Sequence, residues 1–269
     1  MRVAAAVVGL AVVAASASAD ELVQRIRTDV AAQRPLVAHV VVALCDNVHQ
    51  GIVPVPRALG NGQEPSSNLY WGARYGVKTY FSKAGAWRAV PCPGLPRHGV
   101  LERVVFRTLV GSAPAFVVAD AWDGSRIRDA IAAFLEMASG RDVEPIVLDG
   151  VPVQAGGGSH LVAFVGHNGL MDFPPPAVAS GAAAPARAAM VLACASRPYF
   201  SGLLARGQAY PVLLTTGLMA PEAYSLEAAV RVWFASADVA AVRQAAAEAY
   251  NTHQGCGVSA AKRLFSARQ

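Results

Sequence analysis

The sequence has little charge and, after its first fifteen residues, no long apolar run. Only 15% of its 269 residues are charged, whereas 54% are hydrophobic. Disordered chains have the opposite composition, so that class is excluded, and the length is typical of one domain. The 23 Lys and Arg against 18 Asp and Glu give a net charge of +5. Because these basic residues are scattered singly, nucleic acid is not an expected partner.

Several motifs of well-known enzyme classes are also missing. The sequence contains no Gly-x-Ser-x-Gly elbow, no phosphate-binding loop with its lysine and no His-Glu-x-x-His. The glycine run at residues 156–158 precedes an apolar segment instead of following one, unlike a dinucleotide-binding fingerprint. There is no Cys-x-x-Cys and no other metal-ligand spacing. We therefore expect no cofactor and no metal.

The first nineteen residues have the layout of a secretory signal peptide. Arg2 precedes an uncharged apolar run over residues 3–15, and Ala17-Ser18-Ala19 is a small-x-small cleavage site. The run is too short to span a bilayer as an anchor. The sequence thus predicts cleavage after Ala19, export to the periplasm or outside the cell, and no stable membrane insertion after removal of the signal peptide. Residues 20–269 would form the mature protein.

The cysteines leave two arrangements open. There are four of them, at Cys45, Cys92, Cys194 and Cys256. An oxidising compartment permits disulfides, and an even number allows all four to pair. If one thiol is catalytic instead, the other three form one disulfide and leave one free cysteine.

Apolar segments of strand length alternate with helical patterns along the mature chain. Strands are predicted at residues 36–44, 101–109, 114–121, 160–165, 188–193 and 210–215, with a short edge strand at 146–148. Helices are predicted at residues 20–33, 67–82, 126–139, 201–206, 220–235 and 237–251, with a last short helix after them. This alternation predicts a single α/β domain, a three-layer α/β/α sandwich around a mostly parallel central sheet.

Two reactive side chains follow neighbouring predicted strands. His167 comes after Val-Ala-Phe-Val-Gly, and Cys194 comes after Met-Val-Leu-Ala. Ligands of parallel sheets bind outside the carboxyl ends of the strands, where this imidazole and thiol would emerge side by side. An adjacent imidazole takes the proton of a thiol and makes it nucleophilic. Backbone N–H groups at Gly166 or Gly169 would then stabilise an oxyanion.

Other polar residues at the strand ends are candidates for substrate contacts. Asp46 and Asn47 end the first strand and open a long polar loop at residues 48–67, a kind of loop that often carries function. Asn168, Gly169 and Asp172 follow the candidate histidine. The last of these carboxylates is also close enough in sequence to orient the imidazole.

Structural interpretations of the same residues remain open. Cys194 is also compatible with an ordinary buried cysteine, and His167 with a turn residue. Asp120 and Asp123 flank a predicted helix start, where a capping role is expected. His39 lies within an apolar strand, which favours a hydrogen-bonded core histidine.

Two short motifs resemble those of a known family. Gly-His-x-Gly at residues 166–169 and Ala-Cys-x-Ser at residues 193–196, each after an apolar strand, are similar to the motifs of the caspase-like cysteine peptidases, which include caspases, gingipains, legumains, separases and CHAT domains. The order of predicted elements fits over about residues 36–250. The resemblance implies a caspase-like fold in which His167 and Cys194 are the catalytic dyad for hydrolysis of a peptide bond in a peptide or protein substrate.

The chain departs from the family pattern at three places. Asn168 separates His167 from its glycine, Arg197-Pro198 replaces a glycine common after Cys-x-Ser, and Ala193 stands where members that cleave after basic residues often carry an acid. A preference for basic residues is therefore not indicated. The alternative function is a non-catalytic secreted binding protein on the same sandwich.

Overall fold

A computed structural model describes residues 18–92, 97–178, 180–181, 185–236 and 238–266. The expected signal peptide, residues 1–19, falls outside this part of the chain except for its last two residues. Within the described residues, the chain forms a mixed sheet flanked by helices on both faces. The three-layer α/β/α sandwich expected from the sequence is confirmed.

The described residues form ten strands, seven α-helices and two short 3-10 helices. The strands are β1 (Leu36–Ala43), β2 (Arg88–Val90), β3 (Val100–Val110), β4 (Ala113–Trp122), β5 (Val143–Leu148), β6 (Val151–Gly156), β7 (Leu161–Val165), β8 (Ala188–Leu192), β9 (Tyr210–Thr215) and β10 (Phe265–Ser266). The helices are α1 (Ala19–Ala31), α2 (Val77–Lys83), α3 (Ile127–Ala138), α4 (Ser196–Arg206), α5 (Ala223–Ser236), α6 (Val239–Gln254) and α7 (Val258–Leu264). The 3-10 helices are Gly124–Arg126 and Gly169–Met171.

The central sheet has eight strands in the order β10-β9-β8-β7-β1-β4-β3-β2. β9, β8, β7, β1 and β4 pair in parallel, while β10, β3 and β2 pair antiparallel with their neighbours. The chain starts at β1, winds outward to β4, and then crosses back to β7 on the other side of β1. Such a reversal opens a crevice between the carboxyl ends of the two strands, which is where ligands bind in doubly wound sheets. Here the crevice lies between β1 and β7.

Alternating residues of β1 enter two different cores. Val40 and Val42 pack on one face with α1, α2, α5 and α6, while Val41 and Ala43 pack on the other with α3 and α4. The two-stranded sheet of β5 and β6 covers the rest of that second face. Since both faces are covered, every residue of β1 is buried, which explains its unbroken apolar sequence.

The segment before α2 differs from its predicted helix over residues 67–82. The helix begins only at Val77, and residues 67–76 form successive turns. The side-chain amide of Asn68 accepts a hydrogen bond from Cys45 N (3.1 Å) and donates one to Cys45 O (2.8 Å). A Cβ on Gly72 would lie 2.0 Å from the carbonyl oxygen of Ser66. The side-chain bonds to the end of β1 and this backbone contact therefore replace the helical hydrogen bonds.

Three further predictions of secondary structure need correction. The segment at residues 146–148 is not an edge of the main sheet, since it belongs to β5, which pairs only with β6. β6 and β10 were not predicted, and α4 begins at Ser196 instead of residue 201. The short length of these elements gives a weak periodic signal, so tertiary contacts decide them.

A buried charge network joins the main sheet to the β5–β6 hairpin. His39 and Asp120 are both fully buried and hydrogen bond through His39 Nε2 (3.0 Å), while His39 Nδ1 accepts a bond from Gly156 N (2.9 Å). Arg103 donates to the Asp120 carboxylate and to Glu144 of the hairpin. Although burial opposes it, the adjacent Arg103 guanidinium and His39 hold the pKa of Asp120 well below its usual value.

This network settles three expectations from the sequence. His39 is a hydrogen-bonded core histidine, as predicted. Asp123 caps the 3-10 helix by accepting a bond from Ser125 N (2.9 Å), as predicted. The capping role expected for Asp120 is wrong, because its side chain points into the second core and pairs with Arg103 instead.

Replacement of Asp120 by alanine should destabilise the fold strongly. The change leaves the Arg103 guanidinium buried without its main partner, which costs about 3–5 kcal/mol of unfolding free energy. Urea denaturation followed by circular dichroism measures this loss. Asp149→Ala is the matched control, since it removes an exposed carboxylate paired with Arg88 and Arg107 and should leave the midpoint nearly unchanged. Equal midpoints for the two variants would contradict the role given to the network.

His160 forms a second buried ionisable pair at the amino ends of the strands. Its Nδ1 accepts a hydrogen bond from Val37 N (3.2 Å), and its Nε2 donates to Asp29 Oδ2 (2.7 Å). Burial lowers the pKa of His160 to about 4, despite the nearby carboxylate. The ring is therefore neutral in the folded protein at pH values where it is protonated in the unfolded chain.

Acidification from pH 6.5 to pH 4 should consequently destabilise the protein through His160. In this range the unfolded state binds a proton that the folded state does not, so the unfolding free energy falls as the pH falls, by about 1.4 kcal/mol per unit at most. His160→Gln preserves both hydrogen bonds without titrating, and urea denaturation at several pH values should show a smaller slope for it. The exposed His98→Gln is the control and should retain the wild-type slope. An unchanged slope in His160→Gln would refute this assignment.

Candidate active site at the carboxyl ends of the parallel strands

His167 lies where β1 and β7 approach each other most closely. Gly166, which ends β7, has φ +150°, and a Cβ there would lie 2.8 Å from the carbonyl oxygen of Ala43 in β1. Only glycine leaves room for this approach. The chain then delivers His167 to the crevice at the switch point with 8% of its surface exposed.

The imidazole of His167 is held by Asp172. The 3-10 helix Gly169–Met171 turns the chain back, so that Asp172 Oδ2 lies 2.7 Å from His167 Nε2. The same carboxylate accepts a bond from Gly51 N (3.1 Å) in the loop after β1. Because a carboxylate only accepts, Nε2 carries the proton, and Nδ1 has no hydrogen-bond partner among the described residues. The arrangement leaves Nδ1 as the basic nitrogen.

Cys194 follows β8 beside this histidine. The parallel register pairs Val165 of β7 with Leu192 of β8, and two residues further along each chain this register reaches His167 and Cys194. Val165 and Leu192 both face the core on the α5–α6 side, so strand alternation directs the next odd and even positions to that same face. The imidazole and the thiol therefore leave neighbouring strands on one side of the sheet.

Asn168 ties the two strand ends together beyond the sheet. Its Nδ2 donates to the carbonyl oxygen of Cys194 (2.8 Å), and its Oδ1 accepts from Leu170 N (3.2 Å). The amide is fully buried. One side chain thus caps the 3-10 helix after the histidine and fixes the backbone of the cysteine.

The sulfur of Cys194 contacts the backbone of Met219 in the loop after β9. The Met219 N–H donates to Sγ, and Sγ donates to Met219 O, each at 3.4 Å. The cysteine is half-buried. Among the described residues, no hydrogen bond joins this sulfur to the ring of His167. The thiol is positioned in the crevice, but its proton points to a carbonyl.

The residue after Cys194 has a left-handed backbone. Ala195 has φ 44° and ψ 42°, a conformation that costs a non-glycine residue about 1–2 kcal/mol. Ala195 N donates to Gly217 O (2.8 Å), and α4 starts at the next residue. The sharp turn places the thiol at the apex between strand and helix, and strain of this kind is concentrated at functional sites.

A buried hydroxyl pair secures this turn. Ser196 Oγ donates to Val191 O (3.0 Å) and accepts from Thr215 N (2.9 Å), while Thr215 Oγ1 accepts from Ser196 N (3.0 Å) and donates to Ala193 O. Both residues are fully buried. The position of the thiol thus depends on a closed set of hydrogen bonds between β8, β9 and α4.

Replacement of Ser196 by alanine should weaken both the fold and the turn. It leaves the buried Thr215 N–H and Val191 carbonyl without a partner, a loss of about 1–3 kcal/mol. Thermal or urea unfolding measures the loss. Ser201→Ala in the same helix is the matched control, because Ser201 Oγ only donates to the helical carbonyl of Arg197, and it should cost well under half as much. A larger loss for Ser201→Ala would contradict this view of the turn.

The structure uses Asp46 and Asn47 to shape the loop after β1. The buried Asp46 carboxylate accepts bonds from Val48 N (2.8 Å), His49 N (3.1 Å) and Gln63 Nε2 (3.0 Å). Burial raises its pKa, but these hydrogen bonds outweigh that effect and lower it. The Asn47 amide pairs with both backbone groups of Val55. A direct substrate contact by either residue stays a prediction.

The backbone N–H groups expected to stabilise an oxyanion are already occupied. Gly166 N donates to Leu192 O (3.2 Å), and Gly169 N donates to His167 O (3.1 Å). That expectation is therefore wrong for these two groups. The second bond arises because Asn168 lengthens the segment between histidine and glycine, which lets the chain turn into the 3-10 helix.

Exposed apolar side chains lie on the loops around the crevice. Val48 and Val53 follow β1, Met171 follows β7, and Leu218 follows β9, with exposed fractions of 81%, 87%, 46% and 77%. All four segments leave the carboxyl end of a parallel strand, at the same edge as His167. An exposed apolar rim of this kind is typical of a binding site.

The cysteines do not pair with one another. All four lie in the described part of the chain and have free thiols, so neither disulfide arrangement considered from the sequence is present. Burial raises the pKa of Cys45 to about 11, which keeps that thiol protonated. The described residues also contain no group of three His, Cys, Asp or Glu side chains able to hold a metal ion.

Comparisons of the chain with protein-family models, with curated proteins and with solved structures find no match. None of the helices among the described residues has the length and apolar composition needed to cross a membrane. The function must therefore be argued from the geometry at the carboxyl edge of the sheet.

Proposed function

We propose that the protein is an exported cysteine hydrolase of the caspase-like kind that cleaves a peptide bond by acyl transfer. One observation carries the proposal. An imidazole held by a carboxylate through Nε2 follows β7, and a thiol follows the neighbouring β8, at the switch point of a parallel sheet. Nucleophile, base and orienting group are the three parts that thiol catalysis requires.

The proposed reaction divides the work among His167, Cys194 and Asp172. Nδ1 of His167 takes the thiol proton, and Sγ of Cys194 attacks the carbonyl carbon of the substrate. The tetrahedral intermediate collapses when the imidazolium gives its proton to the leaving amine. Water, deprotonated by the same imidazole, then attacks the thioester, and the acid product leaves with regeneration of the thiol. Asp172 accepts the Nε2–H bond throughout and stabilises the imidazolium.

A rotation of the thiol precedes attack in this scheme. The sulfur donates its proton to Met219 O in the structure, so χ1 of Cys194 must turn the thiol from that carbonyl to the imidazole. The cost is small, because the lost bond is a weak thiol–carbonyl interaction. The chain segment that follows Cys194 is held by the Ser196–Thr215 pair, so the backbone stays in place while the side chain turns.

The surroundings of the crevice favour a peptide or protein substrate with apolar side chains. The exposed Val48, Val53, Met171 and Leu218 provide apolar contacts on three loops. Among the residues next to the dyad, Ala193 offers no acid for a basic side chain of the substrate. Export, as proposed from the first nineteen residues, would bring the enzyme to substrates outside the cytoplasm.

The proposal predicts selective labelling of Cys194 by an active-site-directed electrophile. A mixture of peptidyl acyloxymethyl ketones requires both a thiolate and a bound peptide, and mass spectrometry identifies the modified cysteine. Labelling should be absent in Cys194→Ala and reduced by about 100-fold or more in His167→Ala, the size of effect typical of a lost general base. Asp172→Ala should reduce it by about tenfold or more, because the ring loses its orienting partner.

Two controls make the result decisive. Cys256→Ala removes the exposed thiol and should leave the labelling rate unchanged, and circular dichroism establishes that each variant is folded. Equal labelling of wild type and His167→Ala would contradict the dyad. If peptides instead bind to wild type and Cys194→Ala equally well with no cleavage, the protein is a binding protein on this sandwich, which is the alternative function.

A further inference from the structure

A separate cavity lies on the α2 and α6 side of the molecule. It has a volume of about 740 Å³ and is lined by the segment before α2, by α2 itself and by the last turn of α6. None of its lining residues belongs to the candidate active site. Its size is in the range of small-molecule sites.

The charge of this cavity has one sign. Arg74 and Lys83 line it together with His253, and no acidic residue does. Neither cation forms a salt bridge to any residue that the structure describes. On this surface other arginines are neutralised, for example Arg231 by Glu227. Two unpaired cations in one concave site favour an anionic ligand.

Aromatic rings form the wall of the cavity. Tyr75 and Tyr80 both meet the ring of His253 edge to face, with centroids 5.2 Å and 6.1 Å apart. His253 in turn stacks flat on Tyr224, with centroids 4.2 Å apart and an interplanar angle of 2°. The guanidinium of Arg74 lies 5.2 Å from the centroid of the Tyr75 ring. Such walls stack well with a planar ligand, and Arg74 lies at their edge.

The wall is held rigid from behind. Tyr224 is fully buried, and its hydroxyl donates to Glu222 (2.9 Å) and accepts from Gln254 Nε2 (2.8 Å). His253 Nδ1 donates to Ala249 O (2.9 Å), so its Nε2 has no hydrogen-bond partner in the described part of the chain. A preformed aromatic wall loses little conformational entropy when a ligand binds.

We propose that this cavity binds a planar organic anion. Its carboxylate or phosphate group lies between Arg74 and Lys83 and accepts a hydrogen bond from His253 Nε2 in its protonated or N–H form, while its ring packs against Tyr75 and Tyr80. The proposal does not depend on the acyl-transfer function, because the cavity shares no residue with the dyad.

Four small probes test the two parts of this ligand. Naphthalene-2-carboxylate and 2-naphthyl phosphate carry both the ring and the charge, naphthalene-2-carboxamide carries only the ring, and acetate carries only the charge. Two-dimensional ¹H–¹⁵N NMR titration of the full chain measures each affinity and locates the site. We expect at least one of the two aromatic anions to shift the amides of Arg74, Lys83 and His253. The carboxamide and acetate should bind at least about fivefold more weakly.

Variants test the assigned residues. Lys83→Ala and Tyr80→Leu should each weaken binding of the preferred anion by about fivefold or more, whereas Arg27→Ala removes an exposed cation of α1 and should change nothing. Cys194→Ala should bind like wild type, which separates this site from the proposed catalytic one. Binding of the carboxamide or of acetate as tight as that of both aromatic anions would overturn the proposal. So would the absence of shifts at the three amides with either anion.

Discussion

The parallel register between β7 and β8, continued past the strand ends, is the constraint on which the candidate site depends. Register alone brings His167 level with Cys194 on one face of the sheet. The buried Asn168 amide extends the pairing by one further bond to Cys194 O, and Gly166 lets β7 press against β1 at the same height. Loss of either feature would separate imidazole from thiol, however well the rest of the sandwich were formed.

Local strain around the thiol is balanced by buried hydrogen bonds. The left-handed Ala195 costs about 1–2 kcal/mol, and the Ser196–Thr215 pair supplies several buried bonds at the same turn. On the opposite face of the sheet, the His39–Asp120–Arg103 network fixes the β5–β6 hairpin without any part in the site. Polar groups buried in this molecule thus serve two purposes, one close to the crevice and one far from it.

Departures from the family motif acquire a structural meaning. Asn168, which separates the histidine from its glycine, occupies the Gly169 N–H by turning the chain, and it also binds the cysteine backbone. The same turn brings Asp172 to the imidazole. The site therefore has a carboxylate that orients its base, while the oxyanion donors expected at Gly166 and Gly169 are used elsewhere.

The sequence by itself determined the sandwich, the apolar strands and the two reactive residues at strand ends, because periodicity and alternation are local properties. It failed at residues 67–76, where Asn68 bonds to Cys45, and at Asp120, whose partner Arg103 lies on another strand. Only the tertiary structure decided the switch point between β1 and β7, the free thiols and the unpaired cations beside Tyr75. Each of these follows from contacts between segments distant in sequence, whose energies no local pattern contains.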